Sequence, residues 1–97
     1  MNKNGYNDSV FDTEYGECFF CNYHTDTARH EVYYGTSNRA KSKSYGYWVN
    51  LCPECHRKAH AHPNDGIDKY LKQTGQIEWE KTRTRESFIK VWGRSYL

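Results

Sequence analysis

Hydrophobic positions mark two short strand-like segments in the first half of the chain. Residues 32–34 are a valine followed by two tyrosines, and Gly35 ends the run. Residues 47–51 combine aromatic, β-branched and polar side chains and lead directly into Cys52. Runs of this composition favour β-strands. Residues 36–46 between them are almost entirely polar, and we expect them to form a loop.

Three later segments carry helix signals. Pro53 suits the first turn of a helix, so residues 53–61 are predicted to form a short helix. From Ile67 onward, apolar residues recur at helical spacing. A further helix is predicted to begin near Thr84, a favourable N-cap, and to stop at Gly93. The second half of the chain is therefore predicted to be helical.

These elements predict one small α+β domain. Residues 17–64 would form the core unit, residues 65–97 a C-terminal extension of two helices, and residues 1–16 a polar, flexible N-terminal arm. A length of 97 residues allows one domain, and a hydrophobic content of 36% limits its core. A structural metal would add stability, because closing a metal site stabilises the fold directly.

The charge balance is mildly basic, with a net charge of +2. It permits a nucleic-acid partner without requiring one. The N-terminal residues lack the apolar run of a signal peptide, and no window approaches the roughly 18 apolar residues of a membrane helix. We therefore expect a cytoplasmic protein without a membrane partner.

The four cysteines form two pairs with the same internal spacing. Cys18 and Cys21 are separated by two residues, as are Cys52 and Cys55. Matched pairs of this kind build tetrahedral four-cysteine zinc sites. The competing interpretation is two unrelated pairs of buried or redox-active thiols. In a reducing compartment the pattern favours a structural zinc ion.

Three histidines are candidates for further chemistry. His56 and His60 are four residues apart on the predicted helix, so they lie on one face and could bind a second metal ion. His30 and Glu31 lie beside the first strand segment. Neighbouring strand residues point to opposite faces, so His30 and Glu31 would share a direction only if the strand bulges.

At these residues the chain resembles the HNH (His-Me finger) endonucleases, and more narrowly the short HNH-like proteins that prophages encode. The resemblance covers roughly residues 18–97, and its most specific part is the second cysteine pair with the histidine that follows. The stretches that carry it are residues 29–35, 38–39, 45–46, 51–56 and 88–97. It implies a zinc-stapled, treble-clef-like ββα unit.

The resemblance also implies metal-dependent hydrolysis of DNA, with Mg²⁺, Mn²⁺ or Ni²⁺ as the catalytic ion. His56 and His60 correspond to ligand positions for that ion. Counted literally from the strand's aliphatic residue, His30 falls on the other ligand position and Glu31 on the general-base position. A bulge would instead make His30 the base, and we favour His30 as the catalytic residue because imidazole is the better base near neutral pH.

Two further expectations concern DNA contacts and catalytic competence. Asn50 lies too close to Cys52 to take the role of the family's middle asparagine, and Asn38 is a possible substitute. Because the HNH triplet is incomplete, the alternative function is a catalytically inactive zinc module that binds nucleic acid or a phage or host protein. The residues expected to contact DNA are Arg29, Asn38, Arg39, Lys41 and Lys43.

Overall fold

The computed structural model describes residues 5–97 and confirms the α+β class. Two strands form one antiparallel pair, and four helices surround it in the described part of the chain. The elements in chain order are β1 (Ala28–Glu31), α1 (Asn38–Tyr45), β2 (Trp48–Leu51), α2 (Pro53–Ala61), α3 (Gly66–Glu80) and α4 (Arg85–Trp92).

The two strands pair in regular register, with His30 opposite Val49 and Glu31 opposite Trp48. β1 begins and ends earlier than the predicted segment at residues 32–34. The main-chain N–H of Val32 still donates to the carbonyl of Tyr47 at 3.0 Å, so the pairing extends just beyond Glu31. Regular pairing without a bulge places His30 and Glu31 on opposite faces of the hairpin.

The loop predicted at residues 36–46 is wrong, because α1 occupies Asn38–Tyr45. Its sequence carries no apolar stripe, and tertiary contacts hold it instead. The hydroxyl of Ser42 donates to the carbonyl of Tyr33 at 2.5 Å and accepts from the N–H of Tyr33 at 3.1 Å. Gly46 ends the helix in the left-handed conformation, with φ of 77°.

The core is built mainly from aromatic side chains. Tyr33 is almost fully buried, and its ring packs against Trp92 at a centroid distance of 4.5 Å and against Phe88 at 5.5 Å. Edge-to-face and tilted contacts of this kind add to the stabilisation from buried area. The aromatics of the C-terminal helices therefore pack onto the hairpin, as their apolar spacing predicts.

The predicted helices after Cys52 are confirmed. α2 starts at Pro53, and Asp65 caps α3 by accepting from the N–H of Gly66. The hydroxyl of Thr84 accepts from the N–H of Ser87 at 3.0 Å and caps α4. Within residues 5–97, no helix combines the length and the apolar content needed to cross a bilayer.

Residues 1–4 of the predicted N-terminal arm lie outside the described residues. The remainder of the arm contacts β2. The hydroxyl of Ser9 donates to the carbonyl of Trp48 at 2.6 Å, and the hydroxyl of Thr13 accepts from the N–H of Asn50 at 2.9 Å. Tyr6 is buried, so this segment covers the hairpin face that points away from His30.

Candidate metal centres

The four cysteines come together as the spacing predicts. Their sulfur atoms all lie within 4.8 Å of one another, and none forms a disulfide. The sulfurs of Cys21 and Cys52 are 3.8 Å apart. Two thiolates bound tetrahedrally to one zinc at about 2.3 Å would be separated by nearly the same distance. The cluster is therefore consistent with a structural zinc site.

Each cysteine pair lies in a turn in which a main-chain N–H group points to the sulfur of the first cysteine. The N–H of Cys21 points to the sulfur of Cys18 at 3.5 Å, and the N–H of Cys55 points to the sulfur of Cys52 at 3.4 Å. Burial opposes ionisation of the Cys18 thiol, but amide hydrogen bonds outweigh it and lower its pKa to about 7. Burial raises the pKa of Cys55. Because metals bind thiolate, part of this set is already close to the binding form at neutral pH.

His30, His56 and His60 form a second cluster. One ring nitrogen from each lies within 4.8 Å of the others. The ring centroid of His30 is 5.2 Å from that of His56 and 5.0 Å from that of His60. The i,i+4 spacing on α2 aligns two of the rings, and β1 supplies the third from the facing strand.

His30 is the buried member of the cluster, with 1% of its surface exposed. Neither of its ring nitrogens has a hydrogen-bond partner within residues 5–97. Burial, followed by the charges of His56 and His60, lowers the pKa of His30 to about 3. Burial also lowers the pKa of His56. A neutral imidazole can bind a metal ion, and a metal bond would satisfy a buried nitrogen that is costly to leave unpaired.

The ligand atoms of the histidine cluster limit which metal ions it can bind. Three neutral imidazoles suit Zn²⁺, Ni²⁺ and similar ions of the first transition row, whereas Mg²⁺ prefers oxygen ligands. Among the described residues, the ligand atoms of this cluster are all imidazole nitrogens. Of the three ions expected for the catalytic site, Ni²⁺ therefore fits best and Mg²⁺ least.

Two buried polar side chains of α3, Asp68 and Lys72, lie next to the tyrosine that packs on the histidine cluster. Tyr34 packs against the ring of His60 at 5.3 Å, and the ammonium of Lys72 lies 4.5 Å from the centre of the Tyr34 ring. Lys72 also pairs with buried Asp68 at 2.8 Å and donates to the side chain of Asn64 at 2.9 Å. Sequence reasoning missed this group, because an i,i+4 Asp–Lys pair on a helix is usually a solvent-exposed one.

A cavity of about 470 Å³ opens beside the cluster. Two of the three histidines line it, which gives a ligand access to them from that side. Asp26 and Arg57 also line it, and the sequence contains no motif that singles them out. The lining residues are Asp26, Thr27, Ala28, Pro53, His56, Arg57 and His60.

The structure does not bring Glu31 to the histidines. Its carboxylate accepts from the hydroxyl of Tyr6 at 2.6 Å and pairs with the guanidinium of Arg39 at 3.2 Å. Regular pairing of β1 explains this position, since Glu31 must face away from its neighbour His30. Within the described residues, the histidine cluster contains no carboxylate.

Two residues expected to contact DNA bond to the end of α4. The side-chain amide of Asn38 donates to the carbonyl of Trp92 at 3.1 Å, and the ammonium of Lys41 donates to the carbonyl of Val91 at 2.8 Å. These carbonyls belong to the last turn of a helix, which attracts cations. Asn38 and Lys41 thus join α1 to α4.

Two other residues expected to contact DNA surround Tyr6. The guanidinium carbon of Arg29 lies 4.6 Å from the centre of the Tyr6 ring and 4.8 Å from that of Trp48. The ammonium of Lys43 lies 5.0 Å from the Tyr6 ring. Both cations therefore lie on the hairpin face opposite the histidines.

Comparison with known proteins gives no family for this chain. No protein-family model, no curated protein and no solved structure matches it. The HNH resemblance rests on the motifs and on two arrangements near a ββα-like unit, the four-cysteine cluster and the histidine cluster.

Proposed function

We propose that this chain is a metal-dependent endonuclease of HNH type that hydrolyses DNA phosphodiester bonds. The observation that carries the proposal is the meeting of His30, His56 and His60, with an open cavity beside them. The resemblance to short prophage-encoded HNH proteins supports DNA as the substrate and a phage context. A zinc ion at the four cysteines would anchor the start of α2, the helix that supplies two of these histidines.

Each histidine acts as a ligand in this proposal. His30 binds from β1, and His56 and His60 bind from α2. A bound divalent ion would supply positive charge to the scissile phosphate as the bond breaks. Burial lowers the pKa of His30, which makes its imidazole a weak base and so favours the ligand role over the base role. Arg57 at the cavity wall pairs with Glu54, and its remaining donors can bind a neighbouring phosphate.

The proton acceptor must be a group that reaches the same cavity. Asp26 lines it, and the hydroxyl of Tyr15 donates to its carboxylate at 3.2 Å. We assign Asp26 to accept the proton from the attacking water. Glu31, the residue at the family's base position, would need to leave Tyr6 and Arg39 to take that role.

The second candidate is a zinc module that binds nucleic acid or a phage or host protein without cleaving it. One observation favours it: Glu31, at the base position, is turned away and held by two partners. A carboxylate fixed in this way does not assist a reaction on the other face of the hairpin.

Plasmid nicking separates the two candidates. Supercoiled DNA is incubated with protein and Ni²⁺, Mn²⁺, Zn²⁺ or Mg²⁺, and the relaxed and linear forms are quantified on gels. We expect His30→Ala, His56→Ala and His60→Ala to abolish cleavage. His62→Ala is the matched control, because His62 is exposed at the end of α2 and lies outside the cluster.

Circular dichroism is recorded for every variant, so that loss of activity is not confused with loss of fold. Cleavage that persists in both His30→Ala and His56→Ala would reject the histidine site. Absence of cleavage with every metal, together with retained DNA binding, would favour the non-catalytic module.

A further inference from the structure

A second cavity lies on the hairpin face opposite the histidines. Its volume is about 450 Å³, within the roughly 300–1,000 Å³ range of small-ligand sites. Its walls combine aromatic, amide, hydroxyl and guanidinium groups. They are formed by Thr13, Tyr15, Thr27, Arg29, Trp48 and Asn50.

Asn50 is the unexplained polar group of this cavity. It is 5% exposed and lies in the middle of β2, where asparagine is disfavoured. Its main chain is satisfied, since its N–H donates to Thr13 and its carbonyl accepts from the N–H of Phe19 at 2.8 Å. Its side-chain amide forms no hydrogen bond within the described residues. An amide that lines the cavity and is unpaired among the described residues suits a ligand that carries both a donor and an acceptor.

Arg29 supplies an unneutralised positive charge at the cavity wall. Its guanidinium packs on Tyr6 and Trp48, and it takes part in none of the ion pairs among residues 5–97. A guanidinium in this arrangement retains donors for a phosphate. The Asn50 amide and the anion-binding guanidinium of Arg29 therefore line the same cavity.

The two cavities adjoin at the start of β1. Thr27 lines both of them, so a ligand strand that crosses β1 at this residue reaches the histidines on one side and Asn50 on the other. Tyr15 stands at this crossing and is 71% exposed. Its hydroxyl is bonded to Asp26, a wall residue of the histidine-side cavity, and its ring is free to stack on a base.

We propose that this second cavity binds an unpaired nucleobase of a single-stranded DNA segment next to the phosphate at the histidine cluster. The Asn50 amide contacts the base edge, the Tyr15 ring stacks on the base, and Arg29 binds its phosphate. This inference rests on the proposed function and adds a preference: DNA with unpaired nucleotides is bound in favour of intact duplex.

Fluorescence anisotropy tests the inference without requiring cleavage. The probes are a labelled single-stranded oligothymidylate, the same strand in a blunt duplex, and the same strand with abasic sites. Zinc-loaded protein is used without any other divalent ion. We expect the single strand to bind about tenfold more tightly than the duplex, and abasic sites to remove that advantage.

Substitutions of two cavity residues test whether the single strand binds in this cavity. Tyr15→Ala and Asn50→Ala are each expected to weaken single-strand binding by about tenfold. Tyr23→Ala is the control, because Tyr23 is also an exposed tyrosine, at 65%, but lines neither cavity. Zinc content and circular dichroism check that each variant is folded.

Equal binding of single strand and duplex, equal binding of abasic and normal strands, or unchanged binding by Tyr15→Ala would each overturn the inference. Those results would leave the endonuclease proposal standing, because that proposal depends on metal-dependent cleavage and its loss in the histidine variants. Conversely, single-strand binding with the expected variant pattern but no nicking would support the base pocket and reject the nuclease.

Discussion

Lowering the pH should destabilise the fold through His30. Its ring is buried against His56 and His60, and both of its nitrogens lack partners within the described chain. Protonation would place an unpaired charge in this environment, so the folded protein resists it. The unfolded chain has no such restriction and takes up the proton readily.

The size of the effect follows from the two pKa values of His30. The folded pKa is about 3 and the ordinary value is 6.5. Between these values the unfolded state binds more protons, so stability decreases as the pH falls. From about pH 7.5 to about pH 5.5, the unfolded His30 becomes mostly charged while the folded one stays neutral. The free energy of unfolding should therefore decrease by about 1.4 kcal/mol.

Urea denaturation at these two pH values measures the effect. Comparing wild type with His30→Gln isolates the contribution of His30, because acid effects on the cysteines and other histidines are shared. Wild type should lose about 1.4 kcal/mol more than His30→Gln, and His62→Gln should behave as wild type does. Equal losses in wild type and His30→Gln would refute the reasoning.

Three other expectations test packing and metal binding. A Cβ on Gly75 would lie 2.5 Å from the Tyr33 hydroxyl. Gly75→Ala should therefore lower Tm by several degrees, because the cost of overpacking, about 1–3 kcal/mol, exceeds the gain in helix propensity. An unchanged Tm would contradict this expectation. Cys52→Ser should lose the zinc ion of the cysteine site together with its folded circular dichroism spectrum. A variant that stays folded without that ion would show that the ion is dispensable. Ni²⁺ at about 100 times its Kd should stabilise wild type by about 2.7 kcal/mol in calorimetry and leave His30→Gln unchanged, whereas equal stabilisation of both would reject the histidine site.

The elements with local signals were predictable. Pro53, Thr84 and Gly93 mark helix ends through their own backbone chemistry, and all three lie at or next to observed ends. α1 ends at a glycine too, but it has no apolar stripe, and the contacts that hold it include the bonds from Asn38 and Lys41 to the end of α4, more than forty residues away in the sequence. Periodicity cannot reveal a helix that is held mainly by its polar side chains.

The same distinction applies to the candidate site. Spacing alone predicted the cysteine cluster and the alignment of His56 with His60. The side to which His30 points depended on whether β1 is regular, which local sequence left open. The sequence could not show that Asp68 and Lys72 form a buried pair, because their burial depends on how α3 packs in the fold.

Cys52 links the two clusters through α2. Its sulfur accepts from the N–H of Cys55 and its carbonyl accepts from the N–H of His56, so the residue that would bind zinc also fixes the first turn of the helix. An ion bound at the cysteines would therefore also fix the turn from which His56 and His60 project. By thermodynamic reciprocity, if an ion at the cysteines favours metal binding at the histidines, an ion at the histidines would strengthen zinc binding by the same factor. If the two sites are coupled in this way, both ions should resist chelation best when both sites are loaded.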